Sequence, residues 1–227
     1  VCAGYFTESS TIVVPSYVTL VGSSTTGTIV VSSANPCVSV TNVNNASVRD
    51  MTLIGPAGAG TICISMDSFN SSVIKNIAMR TCETLMKIIG SYKVSDLILN
   101  QLIFSGSFTN GLLVDGTAGT SNYVIDIAGM LLDFRPSNAG AAYCIKFTGQ
   151  YAAGDFSTAR CVGAASGVNT TTGVLIQDDA SLTMVGLEVE DMFVAVSSPA
   201  VGAAPTMRLS AILYDNTTDI SQLHTTA

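Results

Sequence analysis

One class of apolar segment returns along almost the whole chain, and that return limits the fold more than any other feature. It occurs at residues 48–54, 73–79 and 99–104, with weaker copies at 127–134, 156–162, 182–189 and 207–213. Anchoring the copies on Met51, Ile77, Leu102, Leu132, Cys161, Leu187 and Ile212 gives spacings of 26, 25, 30, 29, 26 and 25 residues. A second, shorter segment lies between successive copies, at 61–66, 85–89, 111–115, 143–147, 173–177 and 193–197. Both kinds are apolar at alternate positions over four to seven residues and are bounded by Gly, Ser, Asn or Thr. That is a strand pattern; no stretch keeps a 3.6-residue period between helix caps.

Strands recurring with no helix between them could form hairpins in a sandwich. Tight hairpin turns are scarce, however: Asn-Gly occurs at Asn110-Gly111 and Asp-Gly at Asp115-Gly116. A parallel coil, in which each strand lies about 4.8 Å above its own copy, explains the period directly. The expected fold is all-β, a single parallel β-helix (solenoid) of about seven to eight coils. Residues 11–216 are expected to form the coils, 1–10 an N-terminal cap or lead-in and 217–227 a C-terminal tail. Beginning at Val1 without a signal-like segment, the chain is expected to be a fragment of a larger chain or a processed product.

Stacking predicts columns of like residues. Asp50, Asn76 and Gln101 fall in one column just before the anchors, and Arg49, Lys75 and Asn100 in the column before that. Side-chain amide ladders satisfy such stacks. In the short segments an outward column reads Ser65, Lys87, Asp115, Lys146, Gln177 and Ser197, with Asp115 between two lysines.

Composition narrows the function classes. Hydrophobic residues make up 48% of the 227 residues but charged ones only 11%, so Ser, Thr, Asn and Gly must wet the exterior. No apolar run approaches the roughly 20 residues of a spanning helix, so no membrane insertion is expected. The net charge is −7 and the nine basic residues form no run, which argues against nucleic acid as a partner. The six cysteines (Cys2, Cys37, Cys63, Cys82, Cys144, Cys161) contain no C-x-x-C, and the one histidine is His224, so no zinc site is expected. They read either as small core residues or as one or two disulfides of an oxidising compartment. Cys37 and Cys63 could sit on neighbouring rungs if the register allows.

Residues 12–22 (Ile-Val-Val-Pro-Ser-Tyr-Val-Thr-Leu-Val-Gly), followed by 48–55 (Val-Arg-Asp-Met-Thr-Leu-Ile-Gly), resemble the opening of pectin-lyase-like right-handed β-helix proteins. In that superfamily a Pro-Ser-x-Val-Thr-Leu-x-Gly turn commonly precedes a repeated Val-x-Asp/Asn-apolar-x-apolar motif. The resemblance covers roughly residues 10–216 and implies a right-handed coil. It leaves activity open, because the superfamily includes polysaccharide lyases and hydrolases, tailspikes, adhesins and structural modules. Its hydrolases use several Asp with a His and an Arg-x-Lys, and its lyases use carboxylate-bound calcium with a basic residue.

Asp178-Asp179, followed by Glu188, Glu190 and Asp191, is the candidate catalytic set, since paired carboxylates could serve as acid and base. No Gly-His follows it and no Arg-x-Lys occurs, so a solvated acidic edge competes with a site. Oxygen ligands for calcium are plentiful there, but no recognisable loop spacing is present, and no metal or cofactor is expected. Asn45, Asn70, Asn169 and Asn216 begin Asn-x-Ser/Thr sequences, acceptors only on a eukaryotic secretory route. The leading expectation is a non-enzymatic structural or binding module of a virion fibre, tail or capsid-associated protein, or of a microbial surface protein. It would be located on a virion or outside the cell, self-associated or joined to neighbouring subunits, with surface glycan as a further partner. The alternative is a polysaccharide lyase or glycoside hydrolase with a divergent acidic site at Asp178, Asp179 and Glu188.

Overall fold

The computed structural model describes residues 2–90, 97–117, 125–137, 142–163, 171–199 and 205–221. No helix occurs among them. One sheet runs β1 (Gly4–Glu8), β4 (Thr28–Ser32), β6 (Ser47–Ile54), β8 (Val73–Arg80), β10 (Leu97–Gly106), β12 (Ile125–Pro136), β14 (Ala152–Val162), β16 (Ser181–Glu190) and β18 (Thr206–Tyr214). β3 (Thr19–Val21) also pairs with β6 in this sheet. The second sheet runs β2 (Ile12–Val13), β5 (Val38–Asn44), β7 (Ile62–Asn70), β9 (Thr84–Ile89), β11 (Asn110–Asp115), β13 (Tyr143–Thr148), β15 (Thr172–Ile176), β17 (Val194–Ser197) and β19 (Thr218–Ser221). From β4 onward the chain alternates between the two sheets, and each strand pairs in parallel with the one two places further on. The result is a right-handed parallel β-helix of about seven turns. Gly4–Glu8, in the expected lead-in, pairs with β4, and Thr218–Ser221, in the expected tail, pairs with β17.

Alternation explains why these segments are strands. Every second side chain points inward, where each residue lies on its copy one rung away. In the long-strand sheet Met51, Ile77, Leu102, Leu132, Ala159 and Leu187 form one buried column. Leu53, Met79, Phe104, Phe134, Cys161 and Val189 form the next. Across the core, Val38, Ile64, Met86, Leu112, Ile145, Val174 and Val196 face them from the other sheet. Each Val, Leu, Ile, Phe or Met among them contributes about 1.5–3 kcal/mol of burial.

Size matching runs across the core. Phe104 and Phe134 stack with centroids 4.3 Å apart. Opposite them is Gly111, where a Cβ would come 2.6 Å from the Phe134 ring and from the Cys144 carbonyl oxygen. One rung further the same pair of columns carries Cys144 and Cys161, joined by a disulfide; a second joins Cys63 to Cys82. Of the two readings of the cysteines, disulfides account for four; Cys37 is a buried free thiol and Cys2 an exposed one.

The expected column Asp50, Asn76, Gln101 is present, and Asn76 Nδ2 donates to Asp50 Oδ1 at 2.8 Å. It marks a bend. Asp50, Asn76, Gln101, Leu131, Thr158 and Gly186 occupy the same place in six successive long strands, all with φ between 53° and 73°. Left-handed backbone suits Gly, Asn and Asp and opposes β-branched residues. β18 lacks this residue, and the register shifts between Val185 and Leu187 to absorb the difference.

Three sequence expectations are corrected by the register. The anchor in β14 is Ala159, since Cys161 pairs with Phe134. The anchor in β18 is Ala211; Ile212 pairs with Glu188, and its side chain is 68% exposed. Both slips arise because an inward Ala, buried at 159 and partly buried at 211, gives a weak apolar signal beside a larger neighbour. The outward column of the short strands reads Ser65, Lys87, Leu113, Lys146, Leu175 and Ser197. Asp115 pairs instead with Ile89 and Thr148, so it does not stand between the two lysines.

Thr158 is the β-branched residue of the left-handed column, and it is exposed. Thr158→Asn keeps a polar side chain and removes most of that conformational penalty. It should raise stability by about 1 kcal/mol in urea unfolding. A lower midpoint would contradict the assigned backbone.

Candidate functional site

The three candidate carboxylates do not converge. Asp178 and Asp179 form the turn from β15 into β16, with φ 55° and 62°. Ala180 N donates to Gln177 O at 3.3 Å, closing a turn whose two central residues are both left-handed. Asp is favoured at such positions, and Asp178 Oδ2 also accepts from Thr148 Oγ1 at 2.9 Å on the preceding coil. Their adjacency is accounted for by turn chemistry. Glu188 lies beyond the bend at Gly186 in β16. Four extended steps from Ser181 to Val185 alone span about 13 Å, more than the spacing of a glycosidase carboxylate pair.

Glu188 belongs to a different cluster. Glu188 and Glu190 alternate onto the outer face of β16, where Glu188 pairs in register with Arg160 and Ile212, and Glu190 with Val162 and Tyr214. Arg160 Nε lies 3.3 Å from Glu188 Oε2, and its Nη2 lies 3.3 Å from Glu190 Oε2. The Tyr214 hydroxyl is 2.8 Å from Glu188 Oε1 and 2.6 Å from Glu190 Oε2. These hydrogen bonds, to Glu190 first and Glu188 second, push the phenol up to about 12. On the adjacent rung Asp133 Oδ2 accepts from Arg135 Nε at 2.9 Å. A shallow groove of about 470 Å³ separates Arg135 from Arg160.

Sequence reasoning missed Arg160 and Tyr214 for a definite reason. Anchoring on Cys161 places Val162 beside Glu188, and anchoring on Ile212 places Asp215 beside Glu190. The true register moves these partners to Arg160 and Tyr214. The usable signal was the alternation of Glu188 with Glu190 two residues apart. The acids and the cation satisfy one another on an open sheet face, where solvent screens such pairs.

The same sheet carries an apolar strip on the other side of the bend. Ile98, Met130 and Val185 are 46%, 45% and 59% exposed. With Phe156, packed beneath the backbone of Gly129, they line a groove of about 420 Å³.

Of the four Asn-x-Ser/Thr positions, Asn45 is exposed in the turn between β5 and β6, and Asn70 is half-buried. The Asn216 amide is committed to the fold: Nδ2 donates to Val189 O at 3.1 Å, and Oδ1 accepts from Met192 N at 2.9 Å. Asn169 and His224 lie outside the described residues. Compared with known proteins, the chain matches no protein-family model, no curated protein and no solved structure.

Tyr214 gives a direct electrostatic test. Its protonated form is favoured in the fold, so its contribution is present below pH about 10, the ordinary phenol value, and is lost as pH rises through about 12. In the folded protein, the difference in phenolate absorbance between wild type and Tyr214→Phe should therefore titrate near 12. A midpoint near the ordinary value of about 10 would show that the Glu188–Glu190 pair does not hold the hydroxyl.

Proposed function

We propose that this chain is a non-enzymatic structural or binding module of the pectin-lyase-like kind, from a virion fibre, tail or capsid-associated protein or from a microbial surface protein. The observation that carries this reading is the groove-lining apolar strip Ile98, Met130 and Val185 on the outer face of the long-strand sheet. Two disulfides suit an oxidising location on a virion or cell surface. The turn role of Asp178 and Asp179 and the mutual pairing of Arg160 with Glu188 and Glu190 weaken the case for catalysis.

The occupant of the strip is a second copy of the chain. Asp155 and Arg208 are exposed in one column on either side of Thr183. A two-fold axis along β16 through Thr183 brings each Asp155 against the Arg208 of the second copy and each Val185, on the same rung as the axis, against its counterpart. This self-complementary pattern is what an isologous contact requires. Light scattering on the separated protein should give a dimer, and Val185→Glu should give a monomer with unchanged β-sheet circular dichroism. A wild type that stays monomeric at every concentration reached would overturn this.

Glu188 and Glu190 favour one second reading, polysaccharide cleavage, because they are two carboxylates on one face beside an arginine. Turnover of any member of a polysaccharide panel by wild type, lost in Glu188→Gln, would establish that reading; no turnover by wild type would remove it.

A further inference from the structure

A third sulfur stands at the Cys63–Cys82 disulfide. Cys37 occupies the rung next to Cys63: Val38 pairs with Ile64, and Cys37 N donates to Ile62 O at 3.1 Å. The three Sγ atoms lie within 4.8 Å of one another, and all three residues are buried. Gly55 forms the wall they converge on, and a Cβ there would lie within 3.1 Å of every one of the sulfurs. The absence of a side chain at Gly55 is what lets three cysteines share one space. The other disulfide differs. Cys144 is flanked in its column by Gly111 and Gly173, so no third sulfur adjoins it there.

We propose that Cys37, Cys63 and Cys82 form a buried thiol–disulfide exchange site in which a single bridge migrates among three sulfurs. The Cys37 thiolate attacks Cys63 Sγ. The Cys37–Cys63 bond forms, the Cys63–Cys82 bond breaks, and its electron pair leaves on Cys82 Sγ, which takes up the proton that Cys37 gave. One thiol and one disulfide stand on each side, so no oxidant or reductant is consumed. The product is geometrically accessible, because rungs about 4.8 Å apart fall within the Cα separations that disulfides span, about 4.4–6.8 Å. The two bridges do different work: Cys63–Cys82 closes one coil, whereas Cys37–Cys63 stitches two neighbouring rungs. Burial pushes the Cys37 thiol up, which keeps the thiolate scarce and the exchange slow in the intact fold.

Peptide mapping tests this directly, because Arg49, Lys75, Arg80 and Lys87 place the three cysteines on separate tryptic peptides. In a Cys2→Ser background, Cys82→Ala refolded under air should carry a Cys37–Cys63 bridge as fully as it carries Cys144–Cys161. The latter serves as the control for oxidation. Recovery of alkylated Cys37 and Cys63 beside a closed Cys144–Cys161 bridge would overturn the proposal. Should Cys82→Ala fail to fold, the Cys2→Ser protein decides. Held folded at about pH 8.5, the ordinary thiol value, then acid-quenched and alkylated, it should yield a Cys37-containing bridge. Persistence of Cys63–Cys82 alone would overturn the proposal.

Discussion

The parallel ladder governs this molecule. Each strand finds its hydrogen-bond partners on a copy of itself one coil away, so every coil must follow the path of its neighbours. A bend in one long strand is therefore imposed on the next. The left-handed position begins at Asp50 and Asn76, where short polar side chains suit it, and persists at Leu131 and Thr158, where they do not. Local preference yields there because breaking the ladder would strand backbone groups on both faces. β18, which has one rung neighbour in its sheet, drops the bend residue.

The same constraint organises the core and the surface. Inward columns repeat apolar residues, and variation in size along one column is compensated across the core, as Gly111 is by Phe134. Cysteines take their place in that system. Where Gly55 leaves room, three sulfurs meet; where Gly111 and Gly173 flank Cys144, a pair suffices. Outward columns are free of packing demands, so their content carries the functional signal. They place an apolar strip on one side of the bend and the Arg160–Glu188–Glu190–Tyr214 cluster on the other. An exposed strip with opposite charges in one column suits association between copies better than it suits chemistry.

Much of the fold was legible because alternation and period survive in the sequence. Val48 to Ile54 and Val73 to Met79 announce both strand and register, and the Asp50–Asn76 contact follows from their alignment. Legibility failed where the core residue is small. Ala159 and Ala211 are outshone by Cys161 and Ile212, and each slip hid a partner of the acidic pair. Asp178-Asp179 misled differently. Adjacent aspartates suggest chemistry in a sequence, but backbone dihedrals with two successive positive φ values assign them to a turn.

The coils stack in register along one axis. The outward column Arg49, Lys75, Asn100, Met130, Ser157, Val185, Ser210 tests it with spin labels at pairs of positions. In a Cys2→Ser background, labels at Arg49 with Met130, Ser157 or Ser210 span three, four and six rungs. Their separations should rise linearly at about 4.8 Å per rung, to about 14, 19 and 29 Å. Separations that fail to increase with rung number, as hairpin pairing would give, would contradict in-register stacking.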